Sequence, residues 1–117
     1  MDGTEVGGMS TLEYHVLLAL AGGPLHGYAL KDAVATESGG ALAPRAGSMY
    51  RVVARLITAG LVSEAAPDAS APPHPGLARK PYALTPRGRA ALAAETRRLK
   101  AAAAMAERRL RALRSDP

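Results

Sequence analysis

The 117-residue chain contains no cysteine, tryptophan or phenylalanine, and four tyrosines supply all of its aromatic side chains. Without cysteine there is no disulfide framework, no thiolate metal site and no thiol nucleophile, which fits a reducing cytoplasm. Without the large aromatics the core has to be aliphatic. Long hydrophobic runs are missing too. The apolar stretch from Tyr14 to Ala21 is too short to span a bilayer, and Asp2, Glu5 and Glu13 precede it with no Lys or Arg, unlike a secretory signal. The three histidines, His15, His26 and His74, stand too far apart to suggest a local metal motif. No carboxylate pair and no nucleophile with a neighbouring base stands out. Neither an enzyme, nor a metal or other cofactor, nor a membrane protein is expected, and the length suits one small domain.

Small residues and arginine are abundant: 26 Ala, 12 Gly and 9 Pro, with 12 Arg against 3 Lys. The net charge of +5 is unevenly spread. Residues 1–44 hold one base, Lys31, and five acids, a balance of −4; residues 79–114 hold eleven bases and two acids, Glu95 and Glu107, a balance of +9. Positive charge gathered in one half points to a polyanionic partner, either nucleic acid or an anionic membrane surface. The plainer reading is a solvated helix face in an arginine-rich protein.

Met1 to Met9 is Gly-rich and aperiodic and reads as a disordered lead-in, with Met1 and Met9 both available as the initiating methionine. Ser10 to Glu13 forms a capping box ahead of the apolar run Tyr14 to Leu20, which is the first helix. Gly22-Gly23-Pro24 breaks it, a second helical pattern runs from about His26 to Ser38, and Gly39-Gly40 offers a left-handed stop. His26 fits a cap or a packed imidazole better than a ligand, and Gly27 and Tyr28 set the turn into the second helix. The third helix spans about Pro44 to Gly60. At 100° per residue Met49, Tyr50, Val53, Leu56 and Ile57 share one arc, while Ser48, Arg51, Arg55 and Thr58 fall opposite.

Leu61 to Ala65 and Arg79 to Leu84 read as the strands of a hairpin, joined by a Pro- and Ala-rich loop from Ala66 to Ala78. Pro81 makes the second strand an edge strand or shortens it. Thr85 as cap and Pro86 at the first helical position start a last helix of about 28 residues. In it Leu92, Leu99, Ala106 and Leu113 recur every seven residues, with Thr96, Ala103 and Leu110 four further on, a heptad seam. The first turns can lie on the domain's own core; the remainder needs a partner.

Three stretches carry a resemblance: Leu17 to Leu30 (LLALAGGPLHGYAL), Gly47 to Leu61 (GSMYRVVARLITAGL) and Tyr82 to Ala90 (YALTPRGRA). Together they resemble the PadR family of transcriptional regulators over roughly residues 12–114. The resemblance implies a mostly α fold with a small β-hairpin, a winged helix-turn-helix with a long C-terminal dimerisation helix. The boundaries follow as a lead-in at 1–9, the DNA-binding domain at 10–85, the dimerisation helix at 86–114 and a tail at 115–117. It also implies a cytoplasmic homodimer on an operator in double-stranded DNA, a repressor relieved by an effector of unknown identity. Some relatives hold flat aromatic effectors against Trp; this chain has none, so no effector site is carried over.

The residues support DNA on their own terms. Arg can read guanine O6 and N7 with two parallel hydrogen bonds, which makes Arg51 and Arg55 the base-reading candidates, with Thr58 on the same face. Ser48 and Tyr50 lie near the helix N-terminus and suit phosphate, although Tyr50 sits at the edge of the packing arc and suits the core equally. In the hairpin, Arg79 and Lys80 are the basic pair at the wing, behind a longer and less basic loop than the family leads one to expect. Leu92, Leu99, Ala103, Ala106, Leu110 and Leu113 are the dimerisation residues. Two other readings compete. A winged helix can be a protein-docking module without sequence-specific DNA binding. A membrane-surface role for the last helix is disfavoured, because a seam of Thr and Ala with no aromatic anchor buries little area in lipid.

Overall fold

The capping box closes as its residue types require. In the computed structural model, which describes residues 8–65 and 80–115, Ser10 Oγ accepts the Glu13 N–H at 3.1 Å and Glu13 Oε1 accepts the Ser10 N–H at 2.8 Å. Helix α1 (Thr11–Leu20) follows and buries Val16, Leu17, Ala19 and Leu20. After the Gly-Gly-Pro break come a short strand β1 (Leu25–His26) and helix α2 (Gly27–Glu37), which buries Leu30 and Val34. Two features end α2. Ser38 Oγ donates to the Ala35 carbonyl at 3.1 Å and accepts the Leu42 N–H at 3.0 Å. Gly39 and Gly40 turn the chain at φ +65° and +84°, a conformation that glycine adopts without steric cost.

Helix α3 (Ala46–Thr58) buries Met49, Val52, Val53 and Leu56. These four, with α1, α2, Val62 and Tyr82, form a core in which Tyr82 is the one aromatic side chain. The aliphatic core follows from the missing Phe and Trp.

The sheet corrects the sequence reading. Beside β2 (Val62–Glu64) and β3 (Pro81–Leu84) it contains β1, in the order β1-β3-β2 with both pairs antiparallel. Leu25 pairs with Tyr82 and His26 with Pro81, while Val62, Ser63 and Glu64 pair with Leu84, Ala83 and Tyr82. Pro81 therefore lies in the central strand, not on an edge, and the strand begins at it, shorter than the expected Arg79 to Leu84. It is tolerated there as the strand's first residue, and its carbonyl accepts the Ala65 N–H at 2.9 Å. The expected loop at 66–78, Arg79, and residues 1–7 of the lead-in lie outside the described residues. Among the described residues no helix is long and apolar enough to cross a membrane, and no group of three His, Asp or Glu side chains could hold a metal ion.

Helix α4 (Pro86–Ser115) has 30 residues, about 45 Å at 1.5 Å per residue. Its first turns are locked onto the end of α3. Thr85 Oγ1 accepts the Gly88 N–H at 2.9 Å and donates to the Gly60 carbonyl at 2.6 Å, and the Thr85 N–H reaches the Leu61 carbonyl at 3.1 Å. Gly88 is buried so tightly that a Cβ there would lie 2.0 Å from the Leu61 carbonyl oxygen. Further along, Leu92 packs against the domain's own core, and Thr96 Oγ1 donates to the Leu92 carbonyl at 2.7 Å while receiving the Tyr14 hydroxyl at 2.7 Å. Leu92, counted above with the dimerisation residues, is thus half-buried within its own domain.

At Gly88 two effects oppose each other. In an open helix Gly→Ala gains about 1 kcal/mol; here the added methyl strikes backbone that cannot rotate away. Gly88→Ala is expected to destabilise by about 3 kcal/mol, measured by urea denaturation, whereas Gly47→Ala, whose added Cβ would meet only the Arg51 side chain at 3.8 Å, is expected to raise the midpoint slightly.

Candidate nucleic-acid interface

Helix α3 presents two unlike faces. The packing arc is turned towards Val52 relative to the expected one, which leaves Ile57 half-buried and puts Tyr50 into solvent at 52% exposure. This excludes Tyr50 from the core. Opposite the core, Arg51, Ala54, Arg55 and Thr58 are exposed, with Ser48 half-buried at the flank. Gly47 and Ala54 are the small residues of this face, and the Arg51 guanidinium lies back along the helix beside Gly47. Arg45 adds a third positive charge as the N-cap residue, and no acid occurs between Glu37 and Glu64. No side chain caps the N-terminus of α3, so the backbone N–H groups of its first turn are available to an anion.

The arginines have different neighbours. Arg51 donates from Nη2 to Ser48 Oγ at 3.4 Å, one turn back on its own helix. Arg55 Nε lies 3.7 Å from Glu13 Oε2, the carboxylate that also closes the capping box of α1. Sequence reasoning took Glu13 as a cap alone. Nothing local could have revealed the second role, since the partner lies on another helix.

Behind α3 the base of the wing is held by an exposed ion pair, Lys80 Nζ to Glu64 Oε1 at 3.5 Å, so Lys80 meets any phosphate already partnered. Beneath it, Tyr82 packs against α3 beside a cavity of about 60 Å³ also lined by Tyr50, Val53 and Ile57, room for no more than a water or two. Burial raises the Tyr82 phenol above its ordinary value, with smaller contributions from Glu64 and Tyr50.

The residues expected to pair two copies are not brought together with this face. Leu99, Leu110 and Leu113 are 39%, 55% and 66% exposed along α4, and Ala103 and Ala106 are exposed between them. At the root of that stretch Glu95 is buried against Gly8 and pairs with Arg98, whose Nε donates to Oε1 at 2.9 Å. The hydrogen bond from Arg98 holds this carboxyl below the usual range against the opposing effect of burial.

Comparison with known proteins agrees with this geometry. A family model described as the transcriptional regulator PadR-like family matches residues 16–94. An uncharacterized 37.1 kDa protein in transposon TN4556 of Streptomyces fradiae is 42% identical over 80 residues, covering 68% of this chain and 20% of that protein. The chain therefore spans about a fifth of the length of that curated relative. Among solved structures, a PadR family transcription regulator from Clostridium difficile R20291 superposes with a TM-score of 0.69 at 17% identity, covering 86% of this chain and 99% of that one. Bacillus subtilis PadR in complex with operator DNA gives 0.60 at 23% identity, covering 74% and 47%. These structures share the fold.

The raised Tyr82 pKa has a signed consequence. The neutral phenol is favoured in the folded state, so its stabilisation is complete below the ordinary tyrosine value of 10.0 and is lost as pH rises through the higher folded value. Urea midpoints should fall in strongly alkaline buffer for wild type and fall less for Tyr82→Phe.

Proposed function

Because the chain belongs to the transcriptional regulator PadR-like family, we propose that it is a homodimeric, sequence-specific DNA-binding repressor that works in the cytoplasm and is released from its operator by an effector. The observation that carries the reading is α3 itself: an amphipathic helix whose apolar face is locked into the core and whose outer face offers Arg51, Arg55 and Thr58 with no acid among them. A helix of this kind fits the major groove, and its arginines can each take the two acceptors of a guanine. Ser48, Tyr50 and the uncapped N-terminus serve phosphate, fixing register without reading sequence. Lys80, and Arg79 beside it in sequence, contribute from the wing.

Dimerisation rests on α4. Beyond Leu99 the helix has left the domain, yet it keeps leucines at heptad positions 110 and 113, with Ala103 and Ala106 small enough for close helix contact. Pairing through this seam buries apolar side chains that would otherwise face water and sets the distance between two copies of α3. No effector site is assigned.

Two experiments test the reading, with a duplex that the wild-type protein selects from a random-sequence pool. Arg51→Ala and Arg55→Ala are each expected to weaken binding by about 1 to 3 kcal/mol and to relax preference at one base pair. Arg108→Ala, far along α4, should change affinity little, since charge distant from the duplex is screened within about 10 Å. If both α3 variants bind like wild type, a protein-docking module replaces the DNA reader. Removing residues 97–117 should give monomers by sedimentation and much weaker binding; a truncated chain that stays dimeric places the interface elsewhere.

A further inference from the structure

We propose that Glu13 is a positioning residue for Arg55, so that a carboxylate on α1 sets the base preference of a guanidinium on α3. The inference rests on α3 being the DNA-reading helix. Its basis is the way the atoms of the pair are shared. Glu13 Oε1 is occupied by the Ser10 N–H at 2.8 Å, and Oε2 faces Arg55 Nε at 3.7 Å. It is Nε that meets the carboxylate, and the two terminal nitrogens are left for the two acceptors of guanine. A guanidinium is planar and rigid, so the attraction of a carboxylate beside Nε favours orientations of the whole fork that keep its Nε edge towards α1.

The carboxylate is itself tied down. Glu13 is the third residue of α1, its side chain is 15% exposed, and the capping hydrogen bonds fix it at both backbone and carboxylate. Arg55 is 60% exposed, so the pair adds little stability to the fold and acts mainly through orientation. Arg51 has no such support: its partner is the neutral Ser48 hydroxyl, and the contact occupies a terminal nitrogen that guanine would need. Arg51 therefore has to give up that contact on meeting a guanine, whereas the ion pair of Arg55 leaves its terminal nitrogens to the base.

The test is a selection from a random-sequence duplex pool by the full chain, read by sequencing, for wild type, Arg51→Ala, Arg55→Ala and Glu13→Gln. Gln is the other residue that completes a capping box, so Glu13→Gln keeps the helix start while removing the charge; an unchanged melting temperature checks this. Glu13→Gln is expected to lose about tenfold discrimination at the base pair where Arg55→Ala loses it, and to keep the base pair that Arg51→Ala loses. As a second route, Arg55→Lys keeps the charge but has no Nε to hold, and adding Glu13→Gln to it should cost no further discrimination. The proposal is overturned if Glu13→Gln selects the wild-type site unchanged, relaxes all positions equally, or loses a base pair that Arg55→Ala retains. A wild-type protein that enriches no sequence overturns the DNA reading itself, an outcome distinct from these three.

Discussion

The close approach of α4 to the turn after α3 is the constraint on which the remaining geometry depends. At Gly88 the helix passes the Leu61 carbonyl with no room for a methyl group, and Thr85 ties the same two segments through its hydroxyl and its backbone N–H. The exit direction of a 30-residue helix is thereby fixed relative to the helix that carries Arg51 and Arg55. A looser junction would leave the basic face of α3 and the exposed leucines of α4 free to turn independently. Sequence features that look like separate punctuation, a threonine cap, a helix-starting proline and a glycine one turn on, form one joint.

Charge is arranged around that joint with little waste. Among the acids of helices α1 and α2, Glu13 is turned to a specific partner, Arg55 on α3. Glu64 and Glu95 are likewise each committed to a base, Lys80 and Arg98. These three carboxylates each lie beside a base, and no acid occurs between Glu37 and Glu64, so positive charge prevails along α3 itself.

Much of the architecture could be read from the chain because the signals were local. The capping box at Ser10–Glu13, the Gly39–Gly40 stop and the Thr85-Pro86 start each specify a backbone event by residue type, and each is found. What escaped depends on distant neighbours. A two-residue strand such as β1 has no periodicity; it exists because β3 lies alongside. Of the two readings of Pro81, the edge position failed for the same reason, while the strand does begin at Pro81 and is shorter than the expected Arg79 to Leu84. Tyr50 sat at the boundary of a helical arc, where a small rotation of α3 decides between core and solvent. Glu13 satisfied a complete local explanation, which concealed its contact with Arg55. The placement of the heptad leucines beyond the domain followed from helix length alone.

Between Gly88 and Pro117 the chain contains neither glycine nor proline, and α4 runs unbroken through Ser115. Such a helix behaves as a lever whose fulcrum is the contact with Leu61. Over the roughly 40 Å from Gly88 to the helix end, a tilt of about five degrees at the fulcrum carries the far end through about 3.5 Å. The gearing works in both directions: a sub-ångström adjustment of packing around Leu92 or the Tyr14–Thr96 hydroxyl pair is magnified at the tip, and a displacement imposed at the tip returns to the end of α3 reduced in distance and increased in force.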